Sequence, residues 1–199
     1  LSAVLVASPA HGVLTLGSNG SFSYTPNLDF NGIDSFSYRA TDGQSQSNVA
    51  TVTLTIVSVN DAPAGADRTV ALLEDGTHTF AVSDFGFTDT KDTPANQFAA
   101  VKIVSLPQAG TLANNDVAVI AGAFISVADI NSGKLRFMPA PNANGSPYAL
   151  FTFQVQDNGG TANGGVDLDA TPNQITISVA PVDDAPVANN DRYTLNEDV

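Results

Sequence analysis

The chain has 199 residues, no cysteine and a net charge of −13. Seven Lys and Arg spread along its length leave no basic footprint for nucleic acid, and the lack of cysteine excludes disulfides and thiolate metal sites. No apolar run reaches the ~18 residues of a membrane helix, and Leu1 opens no signal-peptide pattern.

The acidic bias is specific. Of 20 acidic residues only Glu74 and Glu197 are glutamate, so 18 are Asp. Asp bonds its own backbone in turns, and it also supplies short, rigid oxygens to calcium.

Strand signals run in order along the chain. Ser35-Phe36-Ser37-Tyr38 and Val52-Thr53-Leu54-Thr55-Ile56-Val57 alternate apolar and polar residues, the pattern of a half-buried strand. Further strands are predicted near 68–73, 77–83, 99–105, 117–126, 134–138, 149–156 and 174–181. Val127-Ala128-Asp129-Ile130 predicts one helical turn, capped by Ser126. Asn19-Gly20, Asn31-Gly32, Asp42-Gly43 and Asn144-Gly145 are turn pairs that tolerate positive φ. Many short strands without helices between them predict an all-β chain, a Greek-key antiparallel β-sandwich of the immunoglobulin kind.

The chain also repeats itself. Asn60-Asp61-Ala62-Pro63 returns as Asp183-Asp184-Ala185-Pro186, about 123 residues later. Asp67-Arg68 and Glu74-Asp75 return as Asp191-Arg192 and Glu197-Asp198. Within this frame Tyr24-Thr25-Pro26 matches Phe137-Met138-Pro139, Phe36-Ser37-Tyr38 matches Phe151-Thr152-Phe153, and Val52 to Ile56 matches Ile175 to Val179. The expected division is 1–59, the later part of one repeat without its first two strands; 60–183, a complete repeat; and 184–199, the start of a third. A sandwich lacking two strands exposes a sheet edge. The first unit is therefore expected to be marginal alone or to borrow a strand, with 185–199 a possible donor. Tandem arrays supply length and spacing more often than a catalytic pocket.

Pro9-Ala10-His11-Gly12-x-Leu14, Gly20-Ser21-Phe22-Ser23-Tyr24-Thr25-Pro26, Phe30-Asn31-Gly32-x-Asp34-x-Phe36-x-Tyr38 and Asn60-Asp61-Ala62-Pro63 together resemble the cadherin-like, or VCBS-type, repeats of large bacterial surface and secreted adhesins. The resemblance implies sandwiches strung end to end, roles in extension and adhesion, an extracellular or cell-surface location, and calcium at the junctions. It further implies neighbouring repeats as partners, with a glycan or protein receptor engaged by other domains and no membrane insertion. The glycine-rich nonapeptide of RTX β-rolls is missing; Gly164-Gly165-Val166-Asp167-Leu168-Asp169 is a faint echo of it.

The candidate calcium ligands follow from this resemblance. Asn60-Asp61 and Asp183-Asp184 resemble the Asp-x-Asn-Asp-x-Ala-Pro junction of cadherins, without the leading Asp before Asn60; a turn cap before a proline explains them as well. Glu74 and Asp75 stand where the family places an early acidic residue, and Glu can chelate calcium through both oxygens. Asp89 and Asp92, with Asp84, form an acidic loop that Lys91 partly neutralises. Asp157, before Asn158-Gly159-Gly160, and its counterpart Asp42, before Gly43, fit a ligand and a turn former equally. Asp167 and Asp169 make a further pair.

No catalytic constellation is expected. His11 and His78 are the only histidines, the carboxylates sit at repeated positions rather than around one cleft, and no glycine loop precedes a helix. The alternative to a calcium-stiffened spacer is a carbohydrate- or protein-binding module using loops 113–134 and 158–173 with Phe124, Tyr148 and Phe151.

Overall fold

The computed structural model of the chain describes residues 1–195 and Glu197. Its strands form two groups whose sheets share no strand. Among residues 1–59 these are β1 (Ser2–Ala7), β2 (Gly12–Leu16), β3 (Phe22–Pro26), β4 (Gly32–Thr41) and β5 (Ala50–Ile56). β1-β4-β5 form one antiparallel sheet and β2-β3 a hairpin, joined where the Phe22 ring meets Phe36 edge-on at 5.1 Å. The β2-β3 turn is the Asn19-Gly20 pair, with Gly20 at φ 85°.

The second group holds β6 (Arg68–Leu73), β7 (His78–Thr79), β8 (Phe98–Ser105), β9 (Thr111–Asn114), β10 (Val117–Ala118), β11 (Phe124–Ser126), α1 (Val127–Asn131), β12 (Leu135–Met138), β13 (Gly145–Asp157) and β14 (Asn173–Ala180). The sheets run β11-β8-β13-β14-β6 and β10-β9-β12-β7, an immunoglobulin-like sandwich in which the opening strand divides between both sheets. Pairing is antiparallel except that β6 runs parallel to β14, from Ile175 opposite Arg68 to Ala180 opposite Leu73. The alternating residues of β14 put Ile175, Ile177 and Val179 into the core, between half-buried polar neighbours.

Two expected strands differ in detail, and one strand was not expected. The segment expected at 77–83 is a strand only at His78–Thr79. Asp84 Oδ2 accepts the Ala81 N–H at 2.9 Å, turning the chain into a short 3-10 helix, Val82–Phe85, that delivers Phe85 to the core. The segment expected at 117–126 is two short strands, split by a turn at Gly122 (φ 87°) whose N–H donates to the Ile103 carbonyl at 2.7 Å. Thr111–Asn114 was not expected and forms β9. The helical turn is present as α1, and Ser126 accepts the Asp129 N–H at 3.1 Å.

Packing differs sharply between the groups. In the second, Phe80, Phe85, Phe137, Phe151 and Phe153 are fully buried among aliphatic side chains. Phe80 meets Phe151 at 5.6 Å and Phe85 meets Phe153 at 5.0 Å, both edge to face. In the first, Phe36 is the one fully buried apolar side chain. The repeat is visible in a shared glycine. A Cβ on Gly12 would press on the Tyr24 ring at 2.5 Å, and one on Gly110 (φ +74°) would strike the matching Phe137 ring.

Beyond β14, residues 181–195 form no strand and are exposed. Among the described residues, those of the segment considered as a strand donor join no strand; its residues Asn196, Asp198 and Val199 lie outside the described residues.

Candidate functional site

The expected ligands fall into two places at opposite ends of the β6–β14 sandwich and on the segment that leaves it. One place is built where the chain enters this sandwich. Pro63 is buried there, and the Asn60 side chain reaches the loop after β13. Its Nδ2 donates to Asp157 Oδ1 at 3.0 Å, to the Gly160 carbonyl at 3.1 Å and to the Val166 carbonyl at 2.8 Å. The Asn60 carbonyl also accepts the Val166 N–H at 2.9 Å. Three oxygens thus converge on one amide nitrogen, while Asn60 Oδ1 lies in tight contact with Asn96 Nδ2.

The acidic loop joins this cluster. Asp89 Oδ2 accepts the Asn96 N–H at 2.6 Å, and Asp92 Oδ2 accepts the Asp61 N–H at 3.0 Å. Asp157, only 2% exposed, spends Oδ1 on Asn60 and on the Gly159 N–H at 2.8 Å. Its Oδ2 is buried with no partner, as is Asp89 Oδ1. Burial raises the Asp157 pKa above the ordinary carboxylate value, against the hydrogen bonds from Gly159 and Asn60, and the negative charges of Asp89 and Asp167 raise it further. Two carboxylates that repel each other, each with one orphaned buried oxygen, form a site short of positive charge.

These groups fit a hard cation in kind, because calcium takes carboxylate, amide and carbonyl oxygens together with water. No group of three or more His, Cys, Asp or Glu side chains among the described residues is placed to hold a metal. The oxygens here come instead from two carboxylates and from amide and carbonyl groups around Asn60. Asn96, Gly159 and the Gly160 and Val166 carbonyls were not singled out in the sequence. Their only signal was the proximity of Asn96 to the acidic loop.

The second place lies at the far end. Glu74 is buried; its Oε2 accepts Asn144 Nδ2 at 2.8 Å and its Oε1 accepts the Val182 N–H at 2.6 Å. Those two hydrogen bonds, Asn144 first, hold its pKa below the ordinary value against the opposing effect of burial. Asp75 adopts φ 61° and accepts the Asn142 N–H at 3.1 Å. Glu74 therefore clamps the outgoing chain, and both its oxygens are engaged. Asp183 and Asp184 are exposed just beyond that clamp. The structure brings Asn60, Asp89 and Asp157 together with Asp61 and Asp92 beside them, and it keeps Glu74 and Asp75 apart from that group.

Two other acidic positions are structural. Asp169 accepts from the Gly65 and Thr171 N–H groups and from Asn173 Nδ2, fastening the long loop to the start of the sandwich. Asp34 accepts the N–H groups of Ala10, His11 and Ser35 and the Tyr24 hydroxyl. Burial opposes its ionisation, yet these four bonds lower its pKa to about 2. In the other group Phe137 and Ala149 stand at the positions of Tyr24 and Asp34, so hydroxyl and carboxylate are lost together.

Among known families, residues 1–55 match that of the bacterial Ig domain. No curated protein matches the chain. Among solved structures, human mucin-like protocadherin EC1-2 is similar at 14% identity and a TM-score of 0.46, covering 90% of this chain and 84% of that one. An endo-fucoidan hydrolase of glycoside hydrolase family 107 is similar at 19% identity and a TM-score of 0.33, covering 91% of this chain and 24% of that one. The sandwich architecture described above rests on the chain's own sheets, and for residues 1–55 the bacterial Ig domain is the family they resemble.

Proposed function

We propose that the chain is a stretch of tandem cadherin-like repeats that extends a bacterial surface or secreted adhesin and stiffens on binding calcium at the repeat junctions. The division into 1–59, 60–183 and 184–199 belongs to this reading. The observation that carries it is the cluster around Asn60: a linker residue gathered at the end of a sandwich with two carboxylates, Asp89 and Asp157, that each have one buried oxygen without a partner. Asn60, Asp89, Asp157 and the Gly160 and Val166 carbonyls would hold the ion, with Asp61 and Asp92 alongside. Calcium there would supply the positive charge that the cluster lacks and would tie the linker to the body of the sandwich. No enzymatic role is part of this reading.

Small-angle scattering of the chain in calcium and in chelator tests it. A narrower, more extended set of shapes in calcium supports stiffening, and identical profiles refute it. The alternative, a ligand-binding module, keeps an exposed Phe124 but loses part of its aromatic platform. Phe151 is fully buried in the core, and the Tyr148 hydroxyl accepts the Ala140 N–H at 3.0 Å.

A further inference from the structure

The side-chain amide of Asn60 has two N–H hydrogens to give, yet three oxygens lie within hydrogen-bond distance of its nitrogen: Asp157 Oδ1, the Gly160 carbonyl and the Val166 carbonyl. One acceptor is therefore always left over. Asp157 Oδ2, on a side chain only 2% exposed, adds a further oxygen with no donor at all. Oxygens outnumber donors around this nitrogen, as they do around a cation. The amide is turned the wrong way for a ligand, however. An amide coordinates calcium through its oxygen, and Asn60 Oδ1 is directed to Asn96 Nδ2 instead. Gly159 lies against both amides, where a Cβ would press on Asn60 Oδ1 and Asn96 Nδ2. A cavity of about 250 Å³, lined in part by Asn60, Asp92, Asn96 and Gly159, opens onto the pair and leaves room for the side chain to turn.

We propose that the Asn60 amide is a built-in placeholder at this junction: Nδ2 holds the oxygens while the site is empty, and the amide must turn, bringing Oδ1 to them, for calcium to be held. The inference rests on the calcium reading of the junction. Residue 60 then sets how far the junction depends on the ion. Asn fastens the linker to the sandwich without calcium, and the bonds given up on turning weaken the affinity for it. A carboxylate at position 60 has no N–H to offer. It would repel Asp157 in the ion-free state and coordinate without turning. The next copy of the motif carries this residue, with Asp183 where Asn60 stands, so by the same rule its junction is the more calcium-dependent.

Calcium titration calorimetry and thermal unfolding in chelator, on the chain and on its Asn60→Asp variant, test this assignment. The variant should unfold at a lower temperature than the parent in chelator and bind calcium about tenfold more tightly, since affinity follows the charge of the ligands. In the parent, calcium should shift the Asn60 side-chain NH2 signals in heteronuclear NMR, a readout that holds even if the variant does not fold in chelator. Three results overturn the placeholder while sparing the calcium junction: a variant as stable as the parent in chelator, a variant that binds no more tightly than a parent that binds, or Asn60 signals that bound calcium leaves unmoved. Calcium bound by neither protein overturns both.

Discussion

Asn60→Ala is the most informative single substitution. Asn60 sits at the entrance to the sandwich, and its loss removes two hydrogen bonds to carbonyls and one to the Asp157 carboxylate. At ~0.5–1.5 kcal/mol net for each neutral bond and ~1.5–3 kcal/mol for the charged one, the sum is ~2.5–6 kcal/mol. The exposure of Val166 and the usual non-additivity among contacting groups favour a loss of ~3 kcal/mol. At roughly 3 °C per kcal/mol for a chain of this size, the midpoint should fall by roughly 9 °C. The assay is thermal unfolding followed by far-ultraviolet circular dichroism in chelator, so that no ion contributes. A midpoint shifted by less than ~0.5 kcal/mol equivalent, as for an ordinary surface change, would refute the view that Asn60 fastens the linker to the sandwich.

Other predictions follow from the same contacts. Asp157→Asn keeps an acceptor for Gly159 while removing a buried charge; in chelator at neutral pH it should raise the midpoint, and a lowered midpoint would contradict the electrostatic account. Because the folded-state pKa of Asp157 is raised, its contribution to stability is fully present below the unfolded value of 3.8 and is lost as pH rises through the folded value; acid titration in chelator should show this trend flattened in the Asn variant. Asp34 has the opposite sign: its pKa is depressed, so its contribution is present above 3.8 and lost as pH falls towards about 2. Asp34→Asn should weaken that acid dependence in the first group of strands, read by hydrogen exchange across β2 to β4. Phe153→Ala removes a fully buried ring packed on Phe85 and should cost ~3–5 kcal/mol in urea unfolding; a cost under ~1 kcal/mol would mean that this core repacks freely.

The fold was legible where the side chains alternate. Val52 to Ile56 and Ile175 to Val179 announce strands because one face is buried and the other wet, a period-two signal that needs no tertiary information. β9 was not legible, since in Thr111-Leu112-Ala113-Asn114 both Leu112 and Ala113 are buried and the alternation disappears. The parallel placement of β6 was also hidden, because an isolated strand carries no mark of its partner's direction. At the candidate site the acidic residues were visible as types, and Asp61 and Asp92 do meet through a hydrogen bond. Asn60 as the hub was legible only from its place in the Asn60-Asp61-Ala62-Pro63 junction, which returns with Asp183 at the Asn position. Asn96 and the Gly160 and Val166 carbonyls could not be read at all, because backbone oxygens have no sequence signature and the approach spans 100 residues or more. The separation of Glu74 from that cluster is a consequence of strand direction: β6 runs the length of the sandwich and carries Glu74 to the opposite end.

The central claim is that the junction cluster binds calcium. Thermal midpoints in chelator, in about 10 mM calcium and in about 10 mM magnesium test it most directly, with Asp157→Asn alongside. For a site of ~0.1 mM affinity, that excess of calcium adds ~2.7 kcal/mol, or roughly 8 °C for a chain of this size. The account predicts this rise in calcium, a much smaller one in magnesium, and its loss in the variant. Midpoints that coincide in all three solutions would contradict it and leave the acidic cluster as loop structure alone.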